Sequence, residues 1–379
     1  MIGAGPIGLE AARAALRRAH EVQLFEAGGV AESVRRWGDI RMFSPFGLNG
    51  SPEAFAQLER QGFQLPPPES ILTGAEYADA FLEPLAETLT GIIRTNSPVL
   101  AVTRAGLNKE DYILDPRRAS VPFSLLVREG ERESIVQADV VLDCSGNFQN
   151  PRPLGIGGIP APGERAAQAA IRYGAFHPPE VDGFRVLVVG AGHSAATMLC
   201  GLAAQRPAKL FWAVRKPVAD HPYARIPDDP LPERDQLLAR ANALARSSTV
   251  QLLAPAGIRS LSTTGEGLEV ALSVNGRLVT VVVDRIFAAT GFRPDLGLTR
   301  ELQVQTCWAT EGAHKLAALL LGEAGGDCLK APTAGAETLS HPEPGFYTLG
   351  MKSYGRRSDF LIRTGLEQVQ NVLDAVERA

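Results

Sequence analysis

Apolar and polar positions alternate along the chain in blocks that change period, and the clearest block is "FRVLVVGAGHSAATMLCGLAAQ". Five strand-like residues run into a glycine turn, and Ala and Leu then recur at helical spacing, which predicts strand, turn and helix. "KLFWAVRKP" reads as the next strand and "RDQLLARANALARS" as the next helix. "LEVALSVNGRLVTVVVDRIFAATG" predicts a hairpin, because Asn275-Gly276 accepts the positive φ of a tight two-residue turn, followed by a further strand. Nearer the start, Leu9 to Ala19 is rich in Ala, Leu and Arg and predicts a helix, and "EVQLFEAG" a strand ending at Glu26 and Gly28. "RRWGDIRMFSPFGLNGSP" reads as a loop, and "TGAEYADAFLEPLAETL" as a helix capped by Thr73. "GIIRTNSPVLAVTRAG" predicts strands and "SIVQADVVLDCSG" a buried strand ending in a turn. "NPRPLGIGGIPAPG" is too rich in Pro and Gly to be anything but a connection, here a domain crossing. "GFYTLGM" closes the strand pattern, and "FLIRTGLEQVQNVLDAV" is the last helix. Strands alternating with helices predict an α/β protein of doubly wound, Rossmann-like folds.

The glycines give this pattern a chemistry. Gly3, Gly5 and Gly8 spell G-x-G-x-x-G, in the turn "GAGPIG" with Pro6 and Ile7. The first glycine permits the tight turn, the second lets backbone approach a pyrophosphate, and the third lets helix pack on sheet. The helix start then offers N–H groups to phosphate. Glu26 follows Gly8 by 18 residues, near the spacing of about 20 at which an acid meets a ribose hydroxyl. A second turn, "GAGHSA", has Gly190, Gly192 and Ala195 with His193 and Ser194 between. Its following strand ends in Arg215 and Lys216 instead of an acid, a pair suited to a ribose 2′-phosphate. The first turn therefore suggests FAD and the second NADPH.

Bulk properties narrow the classes. The chain has 379 residues and a net charge of -4, so no basic field favours nucleic acid or an anionic membrane. Its apolar runs fall short of the roughly 20 residues a membrane span needs, and no signal peptide is evident. Cys144, Cys200, Cys307 and Cys328 form no C-x-x-C pair, which fits a reducing compartment, with the cytoplasm expected. Cys307, His314, Cys328 and His341 match no zinc spacing, so no metal is expected. Cys144 and Cys200 read as packing residues.

In the order of these motifs the chain resembles the two-dinucleotide-binding-domain flavoproteins, the group that includes thioredoxin reductase-like enzymes and flavin-containing monooxygenases. "FAATGFRPDL" resembles the family's A-T-G element, with Thr290 and Gly291 at the return from the NADPH domain. "VVLDCSGNFQNPRPLGIGGIPAPGE" resembles the outward crossing, with Ser145 and Gly146 at the cofactor. "GFYTLGMKSYGRRSDFLIRTGLEQV" sits where the family makes its last FAD contact, at Gly350. The family's following Asp is here Met351, which leaves its hydrogen bond to Lys352, Ser353 or Tyr354. The loop after the ribose acid runs under the flavin in similar proteins, making Trp37, Arg41, Phe43 and Ser44 candidates for the ring. Gly174 and His177 resemble a monooxygenase fingerprint, one residue short in its spacing; His177 is the weak catalytic candidate.

The resemblance implies a discontinuous FAD domain over residues 1–180 and 293–379, with an NADPH domain over 181–292. It implies an FAD-dependent, NADPH-oxidising monooxygenase that inserts one oxygen into a small molecule through a flavin hydroperoxide. The flavin carries the chemistry and protein groups position it. Reduction of a small disulfide, quinone or electron carrier without a protein dithiol is the alternative, and a silent nucleotide-binding redox sensor is another. A homodimer is compatible with the family. Only Met1 and Ile2 precede the first glycine, where a strand of about five residues is usual, and this predicts a truncated first strand.

Overall fold

A computed structural model describes residues 1–174, 180–218, 221–227, 229–322 and 335–378. The chain divides into two compact units. The first comprises Met1–Arg36, Ser44–Asn150 and Arg293–Ala379; the second comprises Trp37–Phe43 and Pro151–Phe292.

The first unit is built on a row of parallel strands. Ile93–Arg94 pairs with Leu24–Phe25, Ile2 bridges Phe25 on one side and Asp143 on the other, and Val141–Asp143 pairs with Phe346–Thr348. Ile2 thus holds the central position of a doubly wound sheet. Its N–H donates to Leu142 O at 3.0 Å and its carbonyl accepts from Cys144 N–H at 2.9 Å, while Gly3 and Met1 bond Phe25 on the other side. A three-stranded antiparallel sheet follows, Val99–Arg104, Phe123–Glu129 and Arg132–Ala138 in that order. Ile2, Phe25, Val102, Phe123, Leu125, Val141 and Phe346 form one apolar cluster joining the two sheets. The helices Pro6–Arg17 and Ile362–Val376 pack together, and a Cβ on Gly365 would lie 2.4 Å from Ile7 Cδ1, so a larger residue there would have to displace the Ile7 side chain.

The second unit has a five-stranded parallel sheet in the order Val250–Leu253, Lys209–Ala213, Arg185–Val189, Arg285–Ala288 and Ile171–Tyr173. The helix His193–Ala204 buries Ala195, Ala196, Met198, Leu199 and Leu202. With Val186, Val188, Leu210 and Trp212 they form one core. An antiparallel sheet, Ala256–Thr264, Gly267–Val274 and Arg277–Val283, supplies another. Its hairpin turns at Asn275 (φ 49°) and Gly276 (φ 78°), the positive pair a tight primed turn requires.

Four local readings change. "SIVQADVVLDCSG" is two strands of different sheets: Arg132–Ala138 is an antiparallel edge with Ile135 58% exposed, and only Val141–Asp143 enters the buried parallel row. The Thr73 segment does begin with a capping box to Glu76, but a wide π turn at Ala78–Leu82 precedes Glu83–Glu87. Pro84 has no N–H to donate to the preceding turn, which accounts for the interruption. The strand at "EVQLFEAG" is reduced to Leu24–Phe25. A helix at Pro52–Arg60, capped by Ser51, was missing from the sequence pattern.

By compactness the first unit runs to Asn150, and Ile171–Tyr173 pairs with Ile286–Ala288 within the second unit. The Pro- and Gly-rich run from Pro151 accordingly belongs to the second unit.

Candidate functional site

Each unit carries a glycine turn at the carboxyl end of its parallel sheet, where ligands of open α/β sheets bind. In the first unit Gly3 has φ +97°, and a Cβ there would lie 2.8 Å from Cys144 O. A Cβ on Gly8 would lie 1.8 Å from Gly3 O, so the helix rests on the turn backbone itself. Gly5, between them, meets nothing within 4 Å, and its open side is where backbone can approach a phosphate. The helix Pro6–Arg17 begins at Gly5 with Pro6 in its first turn and without a side-chain cap. Its leading N–H groups therefore have no side chain competing with an anion.

Glu26 lies at the end of the neighbouring strand. Its Oε2 accepts from Ala4 N–H at 2.7 Å and its Oε1 from Gly28 N–H at 2.9 Å. These bonds fix the carboxylate while leaving each oxygen acceptor capacity for a hydroxyl.

Behind the turn lies a buried ion pair that the sequence did not reveal. Lys352 Nζ is 2.6 Å from Asp143 Oδ2, with side chains 4% and 0% exposed. Lys352 also donates to Ser145 Oγ at 3.0 Å, and Ser145 Oγ–H donates to Asp143 Oδ1 at 2.6 Å. Ser145 is thus tied inward, while Gly146 (φ +68°) meets nothing within 4 Å. The beginning of the closing segment is equally internal. Gly350 N–H donates to Gln368 Oε1 at 2.8 Å, Ser353 Oγ–H to Gly350 O at 2.7 Å, and Tyr354 is buried against Phe360. Lys352, Ser353 and Tyr354, expected to replace the family's Asp after Gly350, instead spend their polar groups or their burial inside the unit. Met351 begins the short helix Met351–Tyr354.

In the second unit Gly190 has φ +132°, and a Cβ would lie 2.2 Å from Ala289 O. Gly192 meets nothing within 4 Å and begins the helix without a side-chain cap. Ala195, in the third position, is fully buried, and Ser194 is half-buried. Arg215 and Lys216 follow the strand Lys209–Ala213 and are exposed. His193, first in the helix, meets Phe43 edge-on at 5.3 Å between ring centroids.

The remaining candidates are distributed differently. Trp37 and Arg41, expected at the flavin, lie in Trp37–Phe43, which groups with the second unit. Thr290 Oγ–H donates to Arg152 O, and Arg152 N–H to Gly291 O at 2.9 Å, so both serve the crossing within the second unit. His177 and Cys328 lie outside the described residues. Burial, then the Asp143 charge, push the Cys144 thiol up to about 12, which makes it inert as a nucleophile. Burial also raises Cys200. Among the described residues no group of His, Cys, Asp and Glu could hold a metal, and no helix is long and apolar enough to cross a membrane.

No family model and no curated protein matches the sequence. Solved structures do. Bacillithiol disulfide reductase from Bacillus cereus is similar over 100% of this chain and 98% of that one, at 16% identity and a TM-score of 0.73. Ornithine N-hydroxylase from Kutzneria sp. 744 is similar over 100% and 98%, at 15% identity and TM-score 0.65. A flavin-containing monooxygenase from Stenotrophomonas maltophilia is similar over 100% and 97%, at 16% identity and TM-score 0.60. The fold is that of the two-dinucleotide-binding-domain flavoproteins.

Proposed function

We propose that this protein is an FAD-dependent oxidoreductase that oxidises NADPH and acts on a small molecule. The observation that carries the reading is the contrast between its two turns. Both leave the middle glycine open, but the strand beside the first ends at Glu26, which accepts from Ala4 N–H, whereas the strand beside the second is followed by the exposed Arg215 and Lys216. A carboxylate accepts from ribose hydroxyls and repels a 2′-phosphate, whereas two cations attract it.

The residues fit these groups. Gly3, Gly5, Pro6, Ile7, Gly8 and Glu26 would hold FAD, with Ser145, Gly146, Gly350 and Met351 around it; Gly190, Gly192, His193, Ser194, Ala195, Arg215 and Lys216 would hold NADPH. Trp37, Arg41, Thr290 and Gly291 complete the cofactor-binding set in this reading. Bound FAD supplies two-electron chemistry. The chain's own contribution is to bind and orient: uncapped helix starts receive phosphates, and Glu26 fixes a ribose. The domains in this reading are a discontinuous FAD domain and an NADPH domain between its parts, in a soluble cytoplasmic enzyme.

For the acceptor we favour oxygen insertion, in which substrate, O2, NADPH and a proton give oxygenated substrate, NADP+ and water. The lack of a C-x-x-C pair and the raised Cys144 thiol support a site without a dithiol relay. A second reading, direct reduction of a small disulfide to two thiols, is favoured by the likeness to bacillithiol disulfide reductase. Flavin-reconstituted protein should oxidise NADPH faster than NADH. Label from 18O2 in a thioether or amine probe supports insertion; oxygen-independent NADPH consumption with a low-molecular-weight disulfide supports reduction. Binding of both cofactors without turnover under either condition would refute catalysis and leave a nucleotide sensor.

A further inference from the structure

The second glycine turn is held from behind by two aromatic side chains that no sequence motif marks. Trp212 Nε1–H donates to Gly190 O at 2.8 Å, and Tyr223 Oη–H donates to Gly192 O at 3.1 Å. The two rings stack, with centroids 5.7 Å apart and planes 22° from parallel. Both are buried, at 0% and 7% exposure. Tyr223 is itself anchored at its backbone: its N–H donates to Asn242 Oδ1 at 3.1 Å, and Asn242 Nδ2–H returns to Tyr223 O at 2.9 Å. Asn242 belongs to the helix Pro232–Ala245 and is 4% exposed.

The consequence follows from peptide geometry. In a trans peptide the C=O and the next N–H point in opposite directions across one plane. Fixing the carbonyls of Gly190 and Gly192 on the protein side turns the N–H groups of Ala191 and His193 the other way. Ala191, Gly192 and His193 are exposed there. Gly192 O also accepts from Ala196 N–H at 3.2 Å, so its plane is held by two donors. Glycine is the residue least able to hold a peptide plane by itself, which is why the turn needs external bonds to keep an N–H pair aimed.

We infer that Trp212 and Tyr223 are positioning residues that preorganise the Ala191 and His193 N–H groups for the pyrophosphate of NADPH. This rests on the assignment of the second turn to NADPH. The role is separate from recognition of the 2′-phosphate, which falls to Arg215 and Lys216. Burial raises the Tyr223 hydroxyl pKa, so it remains a donor over the whole working range of pH.

The test is calorimetric binding of two probes to the FAD-loaded protein and its Tyr223→Phe variant. NADP+ carries both the pyrophosphate and the 2′-phosphate; 2′-AMP carries only the latter. Loss of one such hydrogen bond is worth roughly 1 kcal/mol, or about fivefold in Kd. Tyr223→Phe should weaken NADP+ about fivefold and leave 2′-AMP unchanged, with thermal unfolding confirming a retained fold. Trp212→Phe, which keeps the aromatic ring and removes the donor, should act in the same direction on NADP+ alone. An unchanged NADP+ affinity in a folded Tyr223→Phe variant, or equal weakening of both probes, overturns the positioning role. If wild-type protein binds neither probe, the NADPH assignment itself is refuted.

Discussion

Glu343 offers the sharpest test of what holds the first unit together. Its carboxylate is 0% exposed and lies between two guanidiniums that are each 1% exposed. Arg104 Nε donates to it at 2.8 Å, Arg118 Nε at 3.0 Å, and Gln303 N–H at 2.8 Å. Burial pushes this carboxyl up, but Arg118, Arg104 and the Gln303 amide outweigh it and bring its pKa below the usual value. Arg104 also lies over the Phe123 ring at 3.7 Å. Glu343→Gln keeps the shape and leaves two buried cations without a counter-ion, a change that costs about 3–5 kcal/mol. Against a total stability on the order of 5–15 kcal/mol, the unit would be close to unfolding. Urea denaturation followed by far-ultraviolet circular dichroism measures this, with the midpoint shift read on the transition assigned to the first unit, since two compact units need not unfold together. A midpoint loss equivalent to less than about 1 kcal/mol would refute the reasoning that Glu343→Gln strands two buried cations without a counter-ion. The sign with pH is fixed as well. A carboxyl depressed by folding contributes stability above its unfolded pKa of about 4.3 and loses it as pH falls through the lower folded value.

Three further outcomes are expected. Gly8→Ala would place a Cβ 1.8 Å from Gly3 O, so the protein should purify with markedly less FAD and a lower Tm; normal flavin content by absorbance would contradict the close-contact argument. Arg215→Ala with Lys216→Ala should raise KM for NADPH by about tenfold or more, from charge-assisted bonds worth roughly 1.5–3 kcal/mol each, while KM for NADH stays unchanged; equal effects on both coenzymes would remove the 2′-phosphate assignment. Burial lowers the His341 pKa to about 4, so between pH 6.5 and that value the unfolded chain takes up a proton that the folded one refuses. Stability should fall by about 3 kcal/mol as pH drops through this window, and pH-dependent denaturation of His341→Gln should lack that part of the loss.

How far the sequence reached depended on whether each feature is local. The second turn was readable because strand, glycines and helix are contiguous from Arg185 to Ala204, and the Asn275-Gly276 hairpin because its turn chemistry sits in two residues. The helix Pro52–Arg60 had a readable start in Ser51-Pro52, but aromatic and glycine residues just before it made the segment resemble loop. The edge strand at Arg132–Ala138 was merged with the buried one because β-branched residues favour both settings. Long-range pairs left no trace: Glu343 meets Arg118 across 225 positions and Arg104 across 239. Tyr223 shows the same limit at the candidate site, since nothing at residue 223 announces a carbonyl 31 positions earlier.

Asp143 and Lys352 carry a constraint that reaches past this one chain. Each is the counter-ion of the other in a space almost closed to water, and a lone buried ion of either sign is strongly disfavoured. Neither position can therefore drift by itself. Among natural relatives the two should change in concert, to a pair of neutral side chains or to the opposite order of charge, and a sequence with only one of them altered should need a third change nearby. The backbone under the first glycine turn is in this sense inherited as a two-letter unit, although its letters stand more than two hundred residues apart.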